Sequence, residues 1–235
     1  MNLARVVENK SFYNYGVITF KTDKKLDIEP GQFLMMKSKD GYNLSKPFSV
    51  MDCKDFEFKV LIRNAGDFSK FLIKLKIGEE LLFRGPYGSP FSKFIDFNKK
   101  YILIGGGCGS APLMHLKKIY PNIIEDSVFG FSDYRIKSIV DDDNIFVDRI
   151  DGMNPVDYIL NRNKGKDINI ISCGPKGMFI YLKYIIDSYQ TAWISMEENM
   201  GCGIGMCKGC PVDTVDGVKM VCKDGPLFNI KEVIL

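Results

Sequence analysis

The chain has 235 residues, with 32 Lys and Arg against 29 Asp and Glu, a net charge of +3, and 46% hydrophobic residues, close to globular averages. Its longest apolar stretches are cut by Lys183 or by glycines, and its lysines are scattered, so neither a membrane span nor a nucleic-acid footprint is expected. The first ten residues carry Arg5, Glu8 and Lys10 with no apolar core before a small-residue cleavage site, which argues against secretion.

Residues 1–97 alternate apolar and polar positions in short runs, at 16–20, 32–36 and 56–62. Turn signals separate them: Glu29-Pro30-Gly31, Lys39-Asp40-Gly41 and Gly85-Pro86-Tyr87-Gly88. This spacing predicts an antiparallel sheet or β-barrel. After Gly66, the apolar residues Phe68, Phe71, Leu72 and Leu75 recur at helical spacing.

From Tyr101 the pattern changes to strands alternating with helices. A buried-strand run at 101–104 leads through glycines into a helix-like segment ending at Tyr120. An apolar run follows at 128–131, then another at 168–171, starting at Ile168 and leading into a helix-like segment ending at Tyr189. That alternation predicts an α/β unit with a parallel sheet over 98–190. Gly105-Gly106-Gly107-Cys108-Gly109-Ser110 joins strand to helix, where backbone N–H groups and the helix dipole can hold a pyrophosphate. The full G-x-G-x-x-G fingerprint is not met, so a plain tight turn is the alternative. A second such junction, Ser172-Cys173-Gly174-Pro175, would face the same crevice, with Cys173 otherwise read as a small buried residue. The lone histidine, His115, is read as structural.

Residues 191–235 are rich in glycine and cysteine and mildly acidic. With little periodicity, they are expected to bury little and to depend on a metal for order. Of seven cysteines, Cys53, Cys108 and Cys173 are dispersed, whereas Cys202, Cys207, Cys210 and Cys222 fall within 21 positions. An odd total without a regular framework points to a reducing compartment. The gaps between the clustered four are four, two and eleven residues, the plant-type ferredoxin spacing for a 2Fe-2S cluster. Gly201, Gly203, Gly205 and Gly209 interleave with them, allowing a tight loop whose N–H groups point at sulfur. A structural zinc site is the alternative, although Cys202 and Cys222 do not supply a second C-x-x-C knuckle.

With these parts in order, the chain resembles the ferredoxin-reductase superfamily over nearly its whole length, and within it the electron-transfer subunits of NAD-dependent dihydroorotate dehydrogenase. The resemblance implies an FAD-binding β-barrel (1–97), an NAD-binding α/β domain (98–190) and a small 2Fe-2S segment (191–235). The family's flavin-gripping segment matches Lys46-Pro47-Phe48-Ser49, with Ser49 near the reactive flavin edge. Lys46 departs from the usual arginine and is a point charge rather than a planar fork. The second flavin segment matches Leu61-Ile62-Arg63 and Gly66-Asp67-Phe68-Ser69, with Phe68 where glycine is usual. An ordinary helix cap is the alternative for Ser69, and a solvated strand lysine that for Lys46. Gly105, Gly106, Gly107, Cys108 and Gly109, with Cys173, Gly174 and Pro175, match the nicotinamide loops.

Also implied are NAD(H) as redox partner, cytoplasmic operation and a heterotetramer with an FMN-containing catalytic subunit. A flavin accepts two electrons as one hydride and a cluster accepts one electron at a time, so together they convert pair chemistry into single-electron flow. A related subunit serving sulfite, sulfide or ferredoxin chemistry is the rival, and a zinc-bearing interaction module is the remote one. In Ser132-Asp133-Tyr134-Arg135, Asp133 would disfavour a 2'-phosphate and Arg135 would attract one.

Overall fold

The computed structural model describes residues 1–41, 44–166, 169–186 and 191–235. Six strands, β1 (Asn2–Ser11), β2 (Tyr15–Lys21), β3 (Phe33–Ser38), β4 (Lys46–Lys54), β5 (Glu57–Arg63) and β6 (Glu80–Tyr87), close a barrel in the order β1-β2-β5-β4-β3-β6. Every neighbouring pair is antiparallel. The expected alternation is visible in β6, where Leu81 and Phe83 point inward and are fully buried. Phe58 stacks on Phe20 with ring centroids 5.3 Å apart and tilts against Phe83 at the same distance, filling the barrel. The predicted helical turns form α1 (Asp67–Ile73), whose Phe68 and Leu72 plug into this core.

The second unit is a six-stranded sheet with helices on it. In chain order it contains β7 (Tyr101–Gly106), α2 (Ser110–Ile119), β8 (Ile124–Phe131), β9 (Ile145–Val147), α3 (Asp148–Asp151), α4 (Pro155–Arg162), β10 (Asn169–Cys173), α5 (Lys176–Ile185) and β11 (Thr191–Ser195). Ile168 and Tyr189, the expected limits of a strand and a helix, lie outside the described residues. The tail adds a hairpin of β12 (Pro211–Thr214) and β13 (Gly217–Met220), a short helix α6 (Val221–Asp224) and β14 (Leu227–Asn229). The sheet order is β14-β11-β10-β7-β8-β9.

Two expectations need correction. The sheet is mixed: β7 to β11 run parallel, but β14 pairs antiparallel with β11, because the tail folds back over Trp193, Ile194 and Ser195. Nor does the tail bury little. Val212, Val221, Leu227, Phe228, Ile230 and Val233 are buried, most of them in one cluster with Ile170 and Ile194 of the sheet and with Phe33 and Met35 of the barrel. These apolar residues are too irregularly spaced for a periodic signature, so their burial is a tertiary outcome.

Helix α2 joins the two units by packing on β4. Lys118 on its outer turn bonds Asp52 of β4 at 2.7 Å, and the fully buried His115 lies beside that pair. Burial pulls the pKa of His115 down to about 4, against the opposing pull of Asp52 and of the Val50 backbone. The neutral ring is therefore an interface residue, in keeping with the structural reading.

Candidate functional site

The sheet order reverses at β7, since β8 lies on one side of it and β10 on the other. In open α/β sheets such a switch point leaves a crevice outside the strand C-termini. Here the barrel closes over that crevice and makes a cleft of about 1470 Å³. Single-ligand clefts usually measure roughly 300–1,000 Å³, so this one has room for more than one ligand.

Most residues singled out from the sequence meet on its walls. Lys46, Pro47, Phe48 and Ser49 of β4, Leu61, Ile62 and Arg63 of β5, and Gly66, Phe68 and Ser69 at α1 form the barrel side. Gly106, Gly107, Cys108 and Gly109 after β7, with Gly174 and Pro175 after β10, form the sheet side. Gly105 and Cys173 stand just behind the wall, at the ends of their paired strands. The hydroxyl of Ser69 caps α1, accepting from the backbone N–H of Ala65 at 2.9 Å and of Gly66 at 3.0 Å. Phe68, in the position where the resemblance expects glycine, packs on Phe48 with centroids 6.0 Å apart and backs the cleft.

The two glycine loops interlock. A Cβ on Gly109 would lie 2.4 Å from the carbonyl oxygen of Cys173, and one on Gly106 would lie 2.8 Å from Pro175. Only residues without side chains let the loops approach so closely, and α2 thereby starts at the cleft with no side chain capping its N-terminus. An acidic group follows from β11: Glu197 lines the cleft, accepts a long bond from the Cys173 thiol at 3.8 Å, and has its pKa raised by desolvation. Burial likewise pushes the Cys108 thiol up to about 12, so it is not a reactive thiolate.

Sequence reasoning missed Tyr15, Glu197 and Asn154. Tyr15 of β2 sits edge-on to Phe131 at 5.7 Å and joins barrel to sheet inside the cleft. None of the three sits in a motif; the tyrosine and the acid are brought in by strands whose partners lie far away in sequence.

The tail loop enters beside this cleft, where 195–200 and Pro226 line it. Backbone N–H groups of Ile204 and Cys207 each point at the Cys202 sulfur at 3.4 Å, and that of Gly205 points at Cys222 at 3.0 Å. The first two hold the Cys202 thiol down to about 6. Cys210 and Cys222 are buried with sulfurs 3.3 Å apart, and burial, then the Cys210 contact, raises Cys222 to about 12. Among the described residues, no three His, Cys, Asp or Glu side chains are gathered as a single-ion site. A sulfur set with N–H donors aimed at it suits an iron-sulfur core, whose charge such donors spread.

Two family models match this chain. That for the iron-sulfur cluster binding domain of dihydroorotate dehydrogenase B covers residues 197–234, and the oxidoreductase FAD-binding domain covers 5–91. The electron transfer subunit of dihydroorotate dehydrogenase B (NAD(+)) from Clostridium acetobutylicum is 30% identical over 229 residues, covering 94% of this chain and 92% of that protein. The probable counterpart from Pyrococcus abyssi is 35% identical over 224 residues, covering 91% and 84% respectively. The solved structure of an NADH-dependent reduced ferredoxin-NADP oxidoreductase superposes with a TM-score of 0.84 at 24% identity, over all of this chain and 90% of the other, a likeness of fold. No helix among the described residues is long and apolar enough to cross a membrane. Barrel, sheet, cysteine tail and these relatives together place the chain in the family of dihydroorotate dehydrogenase B electron transfer subunits.

Proposed function

We propose that this protein passes electrons between NAD(H), FAD and a 2Fe-2S cluster, to or from the FMN of a catalytic dihydroorotate dehydrogenase subunit in pyrimidine biosynthesis. The observation that carries this reading is that one cleft is walled by the barrel, by both glycine loops and by the segment leading into the four cysteines. When bound, flavin and cluster would supply the exchange between two-electron hydride transfer and single electrons.

The chain's own residues supply position and polarity. Phe48 and Ser49 line the barrel wall and would meet the isoalloxazine, and Lys46 and Arg63 bring positive charge to the same wall. The N-terminus of α2 and its glycines receive the nicotinamide's pyrophosphate. Glu197, whose pKa desolvation raises, accepts from the Cys173 thiol and brings a titratable carboxyl to the cleft. Cys202, Cys207, Cys210 and Cys222 ligate the cluster as thiolates, the loop N–H groups offsetting their charge. A heterotetramer with the catalytic subunit, in the cytoplasm, completes the reading.

The test is reconstitution. The anaerobically purified chain, mixed with an FMN-containing dihydroorotate dehydrogenase subunit, should reduce NAD in the presence of dihydroorotate. A flavin-replete, iron-replete pair with no such activity would rule out the pyrimidine assignment.

A further inference from the structure

Arg84 lies outside the cleft, on β6 opposite Met35 of β3, and its guanidinium reaches across to the tail. Its Nη2 donates to the carbonyl oxygen of Gly201 at 3.0 Å, the residue immediately before Cys202. The same guanidinium stands 5.9 Å from the ring centroid of Tyr87. The loop presses on this part of the barrel a second time at Gly203, which has φ +80; a Cβ there would lie 3.1 Å from Tyr87 and 3.2 Å from Met35. Met35, Arg84 and Tyr87 thus form a seat for residues 201–203.

One donor of that seat is unused. Nε of Arg84 is closed off from solvent and has no hydrogen-bond acceptor among the described residues. A buried cationic N–H without a partner is costly, and native proteins almost always satisfy one. The group that the adjoining loop is built to carry is anionic and rich in sulfur acceptors.

We propose that Arg84 is a positioning residue for the iron-sulfur loop: it fastens Gly201 to the barrel and directs a fixed positive charge and a spare N–H at the cluster, raising its reduction potential. This rests on the reading of the four cysteines as cluster ligands. Reduction adds one negative charge to the core, and a fixed cation in a partly desolvated seat favours the reduced form. Grip and charge are separable, because lysine keeps the charge but lacks the fork that reaches two acceptors at once.

The experiment is a redox titration of the full-length, anaerobically purified protein, following the reduced-cluster EPR signal in wild type and in R84K, R84Q and R84A. R84Q and R84A should lower the reduced-to-oxidised ratio at fixed poise about tenfold, equivalent to about 59 mV for a one-electron couple. R84K should keep most of the wild-type potential. Hydrogen exchange at residues 200–207 of the cluster-free chain should quicken most in R84A, which keeps no donor for Gly201. Equal midpoints in wild type, R84Q and R84A at full iron and sulfide content would overturn the proposal, as would R84K shifting as far as R84A. Wild-type protein without iron and sulfide would instead defeat the cluster reading itself, and this inference with it.

Discussion

Asn14, in the turn between β1 and β2, donates its side-chain amide to the carboxylate of Asp133 at 2.7 Å, joining the barrel to the loop after β8. The same carboxylate takes Arg135 in a fork, at 3.0 Å from Nε and 2.7 Å from Nη2, and Arg135 lies over Phe12 with 5.0 Å to the ring centroid. Arg135 holds the Asp133 carboxyl well below the usual carboxylate range. In a doubly wound sheet the adenosine lies beyond the strand next to the glycine loop, which here is β8.

Because Asp133 occupies its guanidinium, Arg135 is not free for a 2'-phosphate, and NADH should be the better reductant of the flavin. In D133N the arginine is released, and a charge-assisted bond to phosphate contributes roughly 1.5–3 kcal/mol. The ratio of kcat/KM for NADPH to that for NADH should rise about tenfold or more in a flavin-bleaching assay. A variant that lost both coenzymes equally would show that Asp133 only braces the loop.

Cys207 is exposed, so C207S removes one of the four proposed cluster thiolates without changing the buried packing. Iron and sulfide content should fall to background, together with the visible cluster absorbance. The far-UV circular dichroism should persist, because Leu227 and Phe228 hold the tail in the sheet without help from the metal. Wholesale unfolding of C207S would show that the cluster, rather than this apolar contact, orders the tail.

His115 should give the protein an acid-labile limb. Its pKa, lowered by burial from the unfolded value of 6.5 to about 4, means that the unfolded chain binds the proton first as pH falls. Stability contributed by the neutral ring is present above about pH 6.5 and is lost progressively down to about pH 4, on the order of 3 kcal/mol in all. Denaturant titrations across that window should show the loss, and H115F should flatten it. An unchanged slope in H115F would assign the acid limb to other groups.

Gly109 has ordinary helical dihedrals, so the obstacle to G109A is purely the carbonyl oxygen of Cys173. A backbone atom cannot move aside like a flexible side chain. The variant should lose about 1–3 kcal/mol of stability, and NADH should reduce its flavin more slowly while flavin content stays unchanged. Wild-type reduction kinetics in G109A would mean that the two loops need not interlock.

Local signals made a large part of this protein readable. The cysteine spacing, the two strand–glycine–helix junctions and the change from short alternating runs to an α/β rhythm near Tyr101 depend on neighbours within a few residues, and the barrel and sheet follow them. The residues from Lys46 to Ser69 that the resemblance assigns to flavin stand in two short segments, and the fold gathers them on one wall.

What the amino-acid order determined alone was therefore the kind of parts and their succession. Tertiary structure decided which distant residues meet. It set β14 antiparallel beside β11, buried a tail that has no periodic pattern, put Tyr15 and Glu197 into the cleft, and set Arg84 against Gly201 across 117 positions. Such contacts leave no local trace, because they depend on how a closed barrel, an open sheet and a returning tail exclude water together and not on any repeat along the chain.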